Sequence, residues 1–402
     1  MSDYGLFSVI GIEIEYMLVD KDSLQVQPKS DVLLQTLAGK QVNEVSMGDI
    51  ALSNELVLHV IEFKNNGPKP LDAPLAQHFQ QAIQNLQPFL DKENLTLLPS
   101  GAHPWMDPHK ETFRWPHGNH AIYEQYDKVF NCKGHGWSNL QSMHINLPFA
   151  DEQEFFQLHS AIRLLLPLLP ALSASSPFLE GRATGMLDNR LHFYEDNQKQ
   201  IPAISGLVIP EFIHSVDEYH KDILQPMYRA ISPWDPEGIL QHEWLNSRAA
   251  IPKFQLNAVE IRIVDTQEYI NGDIAIAKAT AAILQNWLEN SDYFLKHPYD
   301  TSKLKALYDQ TRKNGLQVPV YDSELKKQWQ LSTSAKNCKQ VWSQLIERIS
   351  TKLDDPSQKA LEHILSSGNL SERLLKATKN QSLHGVYQEL VNSLKSNHAF
   401  HV

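Results

Sequence analysis

Cysteine is scarce: Cys132 and Cys338 are the two in 402 residues. Two such distant thiols give neither a disulfide framework nor a pair at metal-ligand spacing. Long hydrophobic runs are missing as well. The most apolar segment, residues 164–174, is broken by Pro167 and Pro170 and is too short to span a bilayer, so no membrane partner is expected. Met1-Ser2-Asp3-Tyr4 lacks the basic and apolar regions of a secretory signal. Positive charge is in deficit, with 36 Lys and Arg against 47 Asp and Glu and a net charge of −11. That balance argues against nucleic acid and anionic membrane surfaces and leaves only a local basic pocket open. No internal repeat or low-complexity tract is visible. What these absences leave is a soluble, cytoplasmic globular chain. Its length allows two or three domains, or one large domain with a helical annex.

The informative stretch that is present is Gly11-Ile12-Glu13-Ile14-Glu15-Tyr16-Met17-Leu18-Val19-Asp20. Its alternation reads as a strand with Ile12, Ile14 and Tyr16 on one face and Glu13 and Glu15 on the other. Carboxylates two residues apart on a strand point the same way, about 7 Å from each other. Buried unpaired they would cost several kcal/mol each, at roughly the scale of any buried charge. Either a cation such as a pair of divalent metal ions answers them, or the face is simply wet, as antiparallel sheets allow.

Further along, residues 30–37 read as a helix capped by Ser30 and ended near Gly39. Residues 42–64 read as two or three antiparallel strands around Met47-Gly48-Asp49. Glu55 and Glu62, seven positions apart, share a site only across a bulge, a bend or separate strands. A helix with Leu75, Phe79, Ile83 and Leu86 follows, then a short strand at 95–99. Residues 101–120 form a loop with His103, His109, His117 and His120. No ligand pair at zinc spacing stands on a helix there, which favours structural or substrate-contacting histidines. A helix is expected over 119–130. In 138–149, Ser142, His144 and Asn146 share a strand face, the makings of a polar site, although a lone His144 also suits a hydrogen-bonded core. Asp151 opens a helix, with Glu154 at the third position completing a capping-box-like start, and the helix should end or kink at Pro167. Residues 171–178 are mostly small, as close packing or backbone approach to a ligand requires. Residues 180–190, with Arg182 and Arg190, look like an anion-binding loop, yet lack the Gly-Lys-[Ser/Thr] ending of a Walker A loop. In the strand 257–265, Glu260 and Arg262 point together away from the core, toward a site or merely toward water. A helix over 273–288 follows, and from about 290 onward only amphipathic helices are expected.

These motifs in this order resemble the glutamate–cysteine ligase type 2 family of carboxylate–amine ligases. The resemblance rests on Gly11 to Glu15, Glu55 through Glu62, Ser142 to Asn146, residues 172–178 with 181–190, and Val259 to Arg262. It implies an α+β fold akin to glutamine synthetase and the guanidino kinases: a curved antiparallel β-sheet with a polar concave face, backed by helices. The catalytic domain would span 1–290 and a helical C-terminal region 291–402. Glu13, Glu15, Glu55, Glu62, His144 and Glu260 would hold Mg²⁺, with Glu55 the least secure. Arg262 would meet the transferred phosphate. Arg190, Arg182 and Arg248 are further candidates for phosphate or substrate carboxylate.

The implied activity uses ATP to phosphorylate a carboxylate, typically the γ-carboxylate of glutamate, before an amine such as cysteine forms the amide. Positioning and electrostatics carry such phosphoryl transfer, so no side-chain nucleophile is needed. A guanidino-kinase-like phosphotransferase and a non-catalytic member of the family are the alternatives. The partners expected are small molecules: amino acid, amine and ATP. The acceptor amine stays open, and a homo-oligomer is compatible with the sequence.

Overall fold

In the computed structural model, which describes residues 4–402, the alternating runs become strands of one antiparallel sheet. In chain order they are β1 (Gly11–Asp20), β2 (Glu44–Met47), β3 (Ile50–Asn54), β4 (Val60–Asn65), β5 (Leu95–Leu98) and β6 (Ser142–Pro148). A separate small hairpin, β7 (Phe178–Leu179) with β8 (Arg182–Ala183), precedes β9 (Ala250–Lys253) and β10 (Ala258–Asp265). The large sheet runs β2-β3-β4-β1-β6-β10-β9, and β5 pairs with the second half of β1. Pro252, which cannot donate to a ladder, lies on the edge strand β9, where that loss is tolerated.

The period-2 pattern of β1 divides the sheet into two faces. Ile12, Ile14 and Tyr16 join Phe63, Ile145, Leu147, Val259 and Ile261 in the main core. Helices Leu75–Lys92, Glu152–Leu165 and Ile270–Asn290 supply Phe79, Phe155, Leu158, Ile274 and Ala277 to the same cluster. The helical run through Glu152–Ser173 is long and apolar enough to cross a membrane by length and composition, and 89% of its apolar window is buried inside the protein. As expected at Pro167, the α-helix ends at Leu165; a tightened 3₁₀ turn, Leu166–Leu168, then passes the chain into the helix Leu169–Ser173.

The opposite face of β1 begins polar with Glu13 and Glu15 and turns apolar at Met17 and Val19. Those two residues pack with Val57, Val60 and Leu98 against Leu370, Leu374, Val386, Tyr387 and Leu390 of the last helices. The residues after 290 are helical throughout the named elements and share the main core. Trp329 Nε1 donates to the Leu164 carbonyl at 2.9 Å and Trp342 Nε1 to that of Leu168 at 3.0 Å. Arg373 and Glu268 form a buried ion pair at 2.6 Å across the same boundary.

Candidate functional site

Register places the polar residues. Glu13 sits across from Lys64 on β4 and from His144 on β6, Glu15 across from Glu62, and Glu260 across from Asn146. Glu55 lies in the connection just past β3 and Glu62 on β4, so the chain turns between them and the odd spacing does not keep them from one cavity. All six residues line one cavity of about 450 Å³. The helices His120–Phe130 and Asn189–Asp196 and the turn around Trp137 form its wall, contributing Tyr123, Tyr126, Trp137 and Tyr194.

Hydrogen bonds fix this row. His144 Nδ1 lies 3.1 Å from Glu13 Oε2, and its Nε2 lies 3.0 Å from Ser142 Oγ. The Ser142 backbone N–H donates to Glu15 Oε2 at 2.7 Å, and Asn146 Nδ2 donates to Glu13 Oε1 at 3.1 Å. Ser53 Oγ donates to Glu62 Oε2 at 2.5 Å. Glu260 is paired with Arg262, Nε to Oε1 at 3.1 Å, and with Lys253. Between Ile261 and Val264 the register with β6 slips by one residue, a bulge that holds Arg262 and Ile263.

Among the described residues, two sets bring three ligand atoms within 4.8 Å of one another: Glu13, His144 and Glu260, and Glu15, Glu62 and His144. Five glutamates line the cavity against Arg190, Lys253 and Arg262, and Arg190 is already committed to Asp265 at 2.5 Å. The excess of negative charge shows in the proton affinities. Burial, and then the Glu13 charge, push Glu62 up to about 8. Burial and the charges of Glu62, Glu15 and Glu13 drive Glu55 well above its ordinary value. Burial would raise Glu13 too, but the His144 hydrogen bond and the charges of Lys253, His144 and Lys64 hold it well below the usual carboxylate range. Burial likewise opposes the charged form of His144, and Glu13, Glu260 and Glu15 outweigh it, so the imidazole is held above its usual value. Carboxylates with one imidazole, too many for the cations around them, fit hard divalent ions. Glu55 lines the cavity but belongs to neither close set.

The arginines separate. Arg262 and Arg190 line the cavity, whereas Arg182 and Arg248 do not join it. Arg182 is exposed on β8 and pairs with Glu180 at 3.3 Å. Arg248 is buried and pairs with Glu211 at 2.6 Å, so its charge is spent inside the fold. The loop 181–185 is exposed and contributes nothing to the cavity lining. The small residues before it serve close packing. The Ser175 backbone N–H and Ser176 Oγ both donate to Asp265 Oδ2 at 2.9 Å, behind Arg190. None of the four loop histidines belongs to a metal-capable set among the described residues. His103 is buried, with Nε2 on the Leu24 carbonyl and Nδ1 accepting from Met106 N. His117 meets Asp31 at 3.1 Å.

Sequence reasoning missed Lys253, Asp265 and the aromatic wall. Asp265 ends the recognised strand, but only the bulge turns it back toward Arg190. Lys253 stands in a four-residue strand interrupted by proline, too short for a period to register.

A sequence profile described as glutamate–cysteine ligase family 2 matches residues 9–393. An uncharacterized protein of Archaeoglobus fulgidus is 37% identical over 281 residues, covering 70% of this chain and 75% of that one. A putative glutamate–cysteine ligase 2 of Ruegeria pomeroyi is 24% identical over 283 residues, 69% of this chain, and the match spans 65% of that relative's length. Among solved structures, a glutamate–cysteine ligase of Francisella tularensis in complex with AMP superposes with a TM-score of 0.66. The identity is 14%, over 98% of this chain and 90% of that one. A bifunctional glutathione synthetase of Pasteurella multocida gives 0.59 at 12% identity, over 96% and 52%. At these identities the two structures speak to the fold alone.

Proposed function

The chain belongs to the glutamate–cysteine ligase family 2, and on that premise we propose that it is an ATP- and Mg²⁺-dependent carboxylate–amine ligase. The donor is the γ-carboxylate of glutamate, and the acceptor is an amino acid or small amine, with cysteine first among those to try. A donor oxygen attacks the γ-phosphorus of ATP and ADP leaves. The amine nitrogen then attacks the acyl carbon, phosphate departs with the bonding pair, and the amine's proton is released to solvent.

The observation that carries this reading is the pair of ligand sets meeting at His144 on one sheet face. Glu13, His144 and Glu260 on one side and Glu15 and Glu62 on the other would hold Mg²⁺, which when bound neutralises charge on phosphoryl oxygens. Arg262 stands on the same wall, oriented by Glu260 and by the Asn246 carbonyl at 3.1 Å, where a guanidinium can stabilise charge developing on the transferred group. Arg190 is held through Asp265 and through the Arg262 carbonyl at 3.3 Å, and so stiffens the strand end that carries Arg262. Tyr126, Trp137 and Trp244 restrict water near a hydrolysable acyl phosphate. The AMP complex of the Francisella enzyme is in keeping with a nucleotide as co-substrate.

The test is ADP release from purified protein given ATP, Mg²⁺ and glutamate, with a panel of amines that includes cysteine. Amine-dependent release upholds the ligase and names the acceptor. A phosphorylated product without an amide would replace it with a phosphotransferase, and absence of nucleotide binding would leave a non-catalytic member.

A further inference from the structure

Of the three lysine and arginine side chains that line the cavity among the described residues, Lys253 is the one not secured from behind by a group outside the site. Arg190 is anchored to Asp265, and Arg262 to the Asn246 carbonyl. The Lys253 ammonium instead contacts Glu260 Oε2 and lies 3.7 Å from Glu13 Oε1. Those two carboxylates, with His144, make up one of the two sets of converging ligand atoms. A lysine ammonium is a compact charge on a flexible stem, and this side chain is 26% exposed on an edge strand. It can therefore leave without unpacking the core.

A divalent ion on Glu13 and Glu260 and an ammonium on the same oxygens exclude each other by like-charge repulsion. We propose that Lys253 holds the place of a divalent cation in the free protein and, once displaced, swings to an anionic group of the bound nucleotide. Its first role rests on geometry alone, and its second rests on the ligase reading. The arrangement adds to the partial pairing that His144 gives Glu13 and Arg262 gives Glu260, so that less negative charge is buried uncompensated before the metal arrives. It also delivers a positive charge to the phosphates only after the metal has bound.

The test is direct binding to the full chain, without turnover. Free Mn²⁺ is titrated by electron paramagnetic resonance into wild type, Lys253→Met and Lys253→Arg. A non-hydrolysable ATP analogue is then titrated at saturating Mn²⁺. Removal of the competing charge should tighten Mn²⁺ binding by about tenfold or more, the scale on which neighbours of a metal ligand act. Lys253→Arg should stay near wild type. With Mn²⁺ saturating, Lys253→Met should bind the analogue about tenfold more weakly. Unchanged or weaker Mn²⁺ binding in Lys253→Met would overturn the place-holder. Tightened Mn²⁺ binding with unchanged analogue affinity would overturn the swing to the nucleotide. Tightened Mn²⁺ binding in a protein whose wild type binds no nucleotide would sink the ligase reading and leave the place-holder standing. Lys253→Gln repeats the first titration if the methionine variant does not fold.

Discussion

At the residue scale, the neighbours of a buried ionisable group, and not its burial, decide whether it belongs to the site or to the scaffold. Glu13 and Glu260 converge with His144, so on the proposed ligase reading Glu13→Gln or Glu260→Gln should lower Mg²⁺-dependent turnover by about 10²–10³-fold, the usual scale for a preorganised electrostatic group. Unchanged turnover and nucleotide affinity in both variants would end the metal assignment. His159 makes the scaffold's case. It is buried between Phe155 and Tyr219, and neither ring nitrogen has a hydrogen-bond partner. Burial, helped by the Arg163 and Arg248 charges, depresses its proton affinity to about 3. Below about 6.5 the unfolded chain takes up a proton that the native state refuses, so this contribution to stability is lost as pH falls from 6.5 toward 3. At pH 5 the loss is about 2 kcal/mol. A His159→Phe variant should therefore show a flatter fall in melting temperature between pH 7 and pH 5, and parallel profiles would refute the account. Glu13, Glu15, His144 and Glu260 were legible in the sequence because each alternates with apolar neighbours. The differing fates of Arg190, Arg182 and Arg248 were not, since an arginine's partner is set by tertiary contact.

At the element scale, long alternating strands were readable and short or bulged ones were not. β1 is as expected, and a helix begins beyond Asp151, whose side chain accepts from Glu154 N at 2.9 Å. The Glu154 carboxylate, however, reaches Leu6 N and Ala150 N instead of completing a reciprocal cap. Ser30 is the first residue of its helix and not its cap; Lys29 holds that position. The helix expected from 273 begins at Ile270. Gly101 shows why a loop glycine can escape notice in a sequence: a Cβ there would lie 2.4 Å from the Asp265 carboxylate. Gly101→Ala should cost about 1–3 kcal/mol in urea unfolding, as overpacking does, and a neutral result would mean Asp265 is free to shift. Asn369 caps the helix Leu370–Ala377 in a reciprocal box and donates to the Ala171 carbonyl at 3.1 Å. Asn369→Ala should cost about 1–2 kcal/mol. Asn369→Ser should keep the cap and lose only the second bond, so equal losses in the two variants would show that the cap is not what matters.

At the scale of the whole molecule, the helices after residue 290 contribute Trp329 and Trp342 to the main core and cover the apolar half of β1. A truncation to residues 1–290 should expose both surfaces, lose near-ultraviolet circular dichroism and bind hydrophobic dye. A cooperative thermal transition in that fragment would show the helices to be dispensable. Their amphipathic stripes were legible, but not the face they cover, because the periodicity of one helix carries no address for its partner. The covering of β1 has a consequence in time. His384 meets the Asp22 carbonyl 362 positions away in the chain. The strand that bears Glu13 and Glu15 therefore leaves the ribosome early and waits, with Met17 and Val19 uncovered, until residues near 390 have been made. Such distant pairings form slowly and leave sticky surface exposed meanwhile, so a newborn chain stalled before its last helices is the form that chaperones should hold longest.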